Sequence, residues 1–191
     1  MAENQNNRRP AHGKKSAETL REERRAAREA VLALLFETEF HGDEDPAVIY
    51  LRAAEARGID TGDRYIRKEY MGIMEHIATI DALLGRHAKG WRTDRLSRVS
   101  RAVLRLGTYE VVYAEKIPAP IAINEAVELA KKFDDPKARA FINGVLNAIK
   151  IELEANGGVI EEVASVEETP MEEVMTEIME PTTPTDSVEA E

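Results

Sequence analysis

Four arginines, Arg21, Arg24, Arg25 and Arg28, stand at three- and four-residue spacing near the start of the chain. On a helix they share one face. Guanidinium groups present fork-shaped donors that match phosphate oxygens, so such a row suits the backbone of RNA or DNA. The same row also suits an ordinary solvated face, with Glu18, Glu22 and Glu23 close enough in sequence to pair with it. On charge alone both readings stand.

Catalytic chemistry finds little support. His12, His41, His76 and His87 are scattered, no two of them at the i, i+4 spacing of a zinc helix, and there is no cysteine. No metal site is expected. The chain carries no glycine-rich phosphate loop, no nucleophile elbow and no triad context, so neither a cofactor nor an enzymatic activity is expected. Glu110 lies four residues after Leu106 and three before Tyr113, on the apolar face of a helical pattern. A lone carboxylate buried there would cost several kcal/mol, so Glu110 is read as the structural partner of an arginine in preference to a catalytic group.

The elements that must position these residues read as helices throughout. Ser16 caps a first helix running to about Phe40, polar in its first half and apolar in its second. A short helix follows from Pro46 to Gly58, and Ile66, Tyr70, Met74, Ile77 and Leu84 predict a single long helix from about Asp63 to His87. Thr93 or Asp94 is the expected cap of the next, with Pro118 and Pro120 enforcing its exit. Residues 117–149 hold two further helical patterns: Ile123, Ala126, Val127, Ala130 and Phe133 form one stripe, and Phe141, Ile142, Val145, Leu146, Ile149 and Leu153 another, whose start is Asp134-Asp135-Pro136, a cap followed by proline at a first helical position. Gly144 interrupts the second stripe, at a cost of about 1 kcal/mol relative to alanine, which suggests close packing or the near approach of another backbone. No stretch alternates with period two, so the fold class is all-α with six or seven helices.

Composition agrees with a cytoplasmic globular protein. The 191 residues are 43% apolar, with no run of about 18 apolar residues to span a membrane and no hydrophobic secretory segment at the start. The net charge of −10 is segregated: residues 158–191 hold eleven Asp or Glu and no Lys or Arg, which leaves residues 1–157 at +1, while residues 8–28 alone carry +5. Residues 1–17 read as a disordered basic arm, 18–156 as the helical domain and 157–191 as a disordered acidic tail within which residues 171–179 form at most a short helix.

Three blocks, RAAREAVLALLFETEF, SRAVLRLGTYEVVYAEKIPAPIAINEAVELAKKF and FINGVLNAI, occur in that order over roughly residues 24–153. In combination they resemble the NusB family of bacterial transcription antitermination factors. The resemblance implies two small helical subdomains packed across each other, no enzymatic activity, and binding of boxA-type single-stranded RNA together with the ribosomal protein NusE. It implies a place in the RNA polymerase antitermination complex that promotes transcription of ribosomal RNA operons. By position it assigns RNA binding to Arg24, Arg25 and Arg28, joined by Arg21 from the same row, and to Phe141 with Lys132 and Arg139; it assigns NusE binding to Phe36, Ser100, Arg101 and Tyr109. An aromatic ring can stack an unpaired base, worth about 1–3 kcal/mol. Phe141 is also in register with Val145 and Ile149, which leaves a core place open to it.

Two features depart from the family pattern. Ala26 and Ala27 interrupt the arginine block while more cations lie upstream, and Ser100 stands where an acidic residue is expected on the partner-binding face. An alternative within the resemblance is a detached RNA-binding accessory like that of ribosomal-RNA cytosine methyltransferases, and a second is a protein-only adaptor. The acidic tail suggests a competitor of RNA for the basic arm, alongside a plain solubilising role.

Overall fold

The computed structural model describes residues 16–42, 44–88 and 96–163. Among them there are seven helices and no strand: α1 (Ala17–Thr38), α2 (Pro46–Arg57), α3 (Arg64–Glu75), α4 (Ile77–His87), α5 (Arg98–Val112), α6 (Ala119–Phe133) and α7 (Ala138–Ala155). The basic arm, the Thr93/Asp94 cap and the 171–179 segment lie outside the described residues. Caps set several starts. Ser16 accepts from the Thr19 amide at 3.1 Å, Asp45 from that of Ala47 with Pro46 next to it, Asp63 from Tyr65 and Ile66, and Ser97 from Ser100. Each satisfies an amide that the first helical turn leaves without a partner.

The helices fall into two groups, as the NusB resemblance implied. α2 and α3 pack with α1; α4, α6 and α7 pack with α5; and α5 also lies against α1 and α3, so it is the seam between the groups. That place explains why α5 is buried on nearly every side, from Ala102, Val103 and Leu104 through Leu106 to Val111.

Three expectations need correction. The single helix over 63–87 is two helices, broken at His76, whose backbone leaves the helical region (φ −99°, ψ 15°). No Gly or Pro marks the break; it lies where α3 packs on α1 and α5 while α4 turns toward α5 and α7, and where the His76 ring stacks on Tyr113 at 4.0 Å. α7 begins at Ala138, two residues past Pro136, because Asp135 first caps a tight turn by accepting from the Lys137 amide. Gly144 faces open space and nothing approaches it closely. A glycine that close packing does require is Gly72, where a Cβ would run into the Tyr109 hydroxyl.

These two glycines should respond oppositely to alanine. Gly72→Ala overpacks a buried ring and should lose about 1–3 kcal/mol. Gly144→Ala meets nothing and should gain up to about 1 kcal/mol from helix propensity. A urea midpoint for Gly72→Ala at or above that of the parent would contradict the packing assigned to Gly72.

Candidate nucleic-acid interface

The arginine row is held in place by the one arginine that is not on the surface. Arg28 is 5% exposed, and its Nε donates to Glu110 Oε1 at 2.8 Å. The Tyr65 hydroxyl donates to the same oxygen at 2.5 Å, and Glu125 Oε2 stands 3.6 Å from Arg28 Nη1. Four helices, α1, α3, α5 and α6, thus meet at one guanidinium. Burial pushes the Glu110 carboxyl upward, and Arg28 with the Tyr65 hydroxyl partly opposes this. The same carboxylate drives the Tyr65 phenol far upward, after burial itself, so Tyr65 remains a donor. Glu110 is therefore the structural partner expected of it.

Around this pin the rest of the row is open. Arg21, Arg24 and Arg25 are exposed on α1 and, with Arg28, line a cleft of about 540 Å³ whose other wall is Lys116, Ile117, Pro118 and the first turns of α6. Arg24 lies over the Tyr65 ring at 5.5 Å, and Arg25 Nε is 3.4 Å from Glu125. Arg21 and Arg24 make no ion pair among the described residues. The four side chains do share a face, as their spacing requires, with the last at its base. Lys132 joins this side, since it lines a neighbouring cleft of about 310 Å³ with Arg25 and Arg28 and donates to Glu29 at 2.6 Å.

Arg139 and Phe141 stand on or beside the first turn of α7. Arg139 Nε donates to the Pro136 carbonyl at 3.3 Å, and Phe141 is half-buried against the core, as its register with Val145 allowed. Sequence reasoning missed Tyr65, Lys116, Asn124 and Glu125 as parts of this region. Lys116 and Asn124 flank the Pro118 exit, but only the packing of α6 on α5 brings them opposite α1.

The residues assigned to the partner face divide. Phe36 meets Phe40 edge to face at 5.3 Å and lines an apolar hollow of about 260 Å³ with Leu32, Val99 and the 43%-exposed Phe133. Arg101 reaches Glu39 at 2.8 Å on the same side. Ser100 and Tyr109 are buried instead. The Ser100 hydroxyl donates to Asp134 at the end of α6, and the Tyr109 ring lies against Gly72 and stacks on Tyr113 at 5.4 Å. Ser100 thus holds the Asp134 carboxylate at the start of α5.

Among the described residues no cluster of His, Asp or Glu is arranged to hold a metal, and no helix is long and apolar enough to cross a membrane. The fold and this surface define an all-helical protein with a pinned arginine face. The sequence model of the NusB family matches residues 25–150. The chain is 40% identical over 133 residues to the transcription antitermination protein NusB of Bacillus subtilis (strain 168), covering 69% of this chain and 97% of that one. Among solved structures it resembles NusB of T. maritima, at 37% identity and a TM-score of 0.61 over 68% of this chain and 91% of that one. It also resembles a structure of the antitermination factors NusB and NusE in complex with dsRNA, at 31% identity and a TM-score of 0.60 over 68% and 96%. The chain belongs to the NusB family.

Proposed function

We propose that this protein is a transcription antitermination factor that binds boxA-type single-stranded RNA together with NusE, within the RNA polymerase antitermination complex that promotes transcription of ribosomal RNA operons. The observation that carries the reading is the pinned arginine face: Arg21, Arg24 and Arg25 are exposed in a row, and the buried Arg28–Glu110–Tyr65 contact holds α1 against α3 and α5. With α1 fixed, only the arginine side chains have to be ordered when phosphates arrive. Lys132 adds charge beside it, and Arg139 with Phe141 supplies a cation and a ring for an unstacked base. Arg28 contributes from beneath, as the residue that fixes the row. NusE docks on the Phe36 side, where Phe36, Phe133 and Val99 offer apolar surface and Arg101 a charge; Ser100 acts through Asp134, while Tyr109 lies inward against Gly72 and Tyr113. The match to 97% of the length of the Bacillus subtilis NusB protein supports the antitermination reading.

The test is binding of a short boxA-type RNA across a salt series, with and without NusE, by the parent and an Arg21/Arg24/Arg25→Ala variant. Arg28 is left in place so that the fold is untouched. Each phosphate that a removed arginine no longer neutralises flattens the log–log salt slope by about 0.7, so the variant should fall by about 2 in slope and bind more weakly. NusE should tighten parent binding. An unchanged slope in the variant would remove the arginine row from the RNA site.

A further inference from the structure

The chain does not leave the body at the end of α7. Gly157 and Gly158 both take left-handed φ values, 67° and 83°, and the Gly158 amide bonds back to the Leu153 carbonyl at 2.8 Å, which reverses the chain. Ile160 then packs against the core. Glu162 is held by three side chains: the Thr79 hydroxyl donates to Oε2 at 2.8 Å, the Tyr113 hydroxyl to Oε1 at 2.8 Å, and His76 Nδ1 lies 3.4 Å away. The Val163 amide donates to Thr79 Oγ1 at 2.9 Å. Within the stretch read as a tail, Ile160, Glu162 and Val163 are therefore held against the helices, and they fix where the remaining 28 residues begin.

Tyr113 has a second side. It is a wall of a cleft of about 490 Å³, separate from the α1–α6 cleft and touching it only through Arg24, Lys116 and Ile117. Four cations line it, Arg24, Arg64, Lys68 and Lys116, and none of them has an ion-pair partner among the described residues. The carboxylates present are Glu115 at the rim and the buried Glu69. Beyond Val163 the sequence holds nine Asp or Glu and no Lys or Arg. Glu167 and Glu168 come four and five residues after the clasp, a span of at most ~14–18 Å in extended chain. A tethered polyanion that close to four unpaired cations is present at an effective concentration on the order of millimolar.

We infer that the acidic segment following Val163 docks in this cleft, with Glu162 as its anchor and the carboxylates from Glu167 onward on Arg64, Lys68 and Lys116. The contact is electrostatic and within one chain, so salt weakens it and protein concentration does not. Arg24 is shared between this cleft and the α1–α6 cleft, so on the reading given under Proposed function the docked segment competes with RNA at one end of its path; the docking itself does not depend on that reading.

Carbodiimide cross-linking of the full chain, with peptide mapping of the monomeric product, tests it. At about 20 mM salt, Lys68 and Lys116 should link to carboxylates in residues 167–173 in clear excess over Lys131, Lys137 and Lys150, and about 0.5 M salt should abolish the excess. Glu162→Ala, which leaves every carboxylate beyond Val163 in place, should cut those links several-fold. Links spread evenly over all lysines, or concentrated on Lys14 and Lys15 of the arm, overturn the proposal, and so does an undiminished yield in Glu162→Ala. RNA binding supplies a separate check: neutralising the nine carboxylates as Gln or Asn should tighten RNA binding about fivefold to tenfold at low salt and little at 0.5 M. Absence of RNA binding in every form would count against the RNA reading and leave the cross-links standing.

Discussion

Replacing Arg28 by alanine is expected to lower the free energy of unfolding by about 3–5 kcal/mol, the usual range for removing one partner of a buried ion pair. Glu110 has 1% of its side-chain surface exposed and would keep only the Tyr65 hydroxyl as a hydrogen-bond partner. Its charge would then be uncompensated at the seam of four helices. Arg24→Ala and Arg25→Ala, on exposed positions of the same row, should stay within about 0.5 kcal/mol of the parent. A double replacement, Arg28→Met with Glu110→Leu, should recover most of the deficit, since both charges leave together. Urea unfolding followed by circular dichroism decides it. An Arg28→Ala variant as stable as the parent would mean that the pair is not the pin described. The expected result has a practical consequence: weaker RNA binding by Arg28→Ala reports on the fold before it reports on phosphate recognition.

The second large effect is a dependence of stability on pH that comes from Glu69. This side chain of α3 is 3% exposed, and its Oε2 has no hydrogen-bond partner among the described residues. Burial first, and then the nearby Glu110 carboxylate, push its carboxyl up to about 7. The folded state thus keeps a proton that the unfolded chain releases near pH 4.5. Between those values the native state binds more protons, so stability falls as pH rises from about 4.5 to about 7 and levels off above. Summed over the interval the contribution is about 3 kcal/mol. Glu69→Gln keeps the shape of the protonated group and cannot ionise. It should match the parent near pH 4.5 and be about 2–3 kcal/mol more stable at about pH 8. Urea midpoints measured at both pH values give the answer, and parallel curves for parent and variant would refute the assignment.

Particular residues mark how far local pattern carries. Ser16, Pro46 and the stripe Ile123–Ala126–Ala130 declared helices where helices stand, because caps and three- to four-residue periodicity are local properties. His76 declared nothing. Its break arises from what α3 and α4 each pack against, and no residue type there forbids a continuous helix. Gly144 shows the converse error: a glycine in an apolar stripe suggested a close approach, yet it stands in open space, while Gly72, unremarked between Met71 and Ile73, takes the Tyr109 ring. Whether a missing side chain leaves room for something depends on the neighbouring helix.

The candidate site divides along the same line. The spacing of Arg21, Arg24, Arg25 and Arg28 put them on one face, and the apolar setting of Glu110 required a cation. The tertiary structure decided that Arg28 is that cation, that the other three are open, and that Tyr65, Lys116 and Glu125 stand beside them. It also decided that Ser100 and Tyr109 lie inward and that the chain beyond α7 is clasped at Glu162. The helices, the segregation of charge and the family pattern were written in the sequence because each depends on residue types at short spacing. Which charge is buried and which is free was not, because that depends on partners 45 to 100 residues away along the chain, and only packing brings them within hydrogen-bond reach.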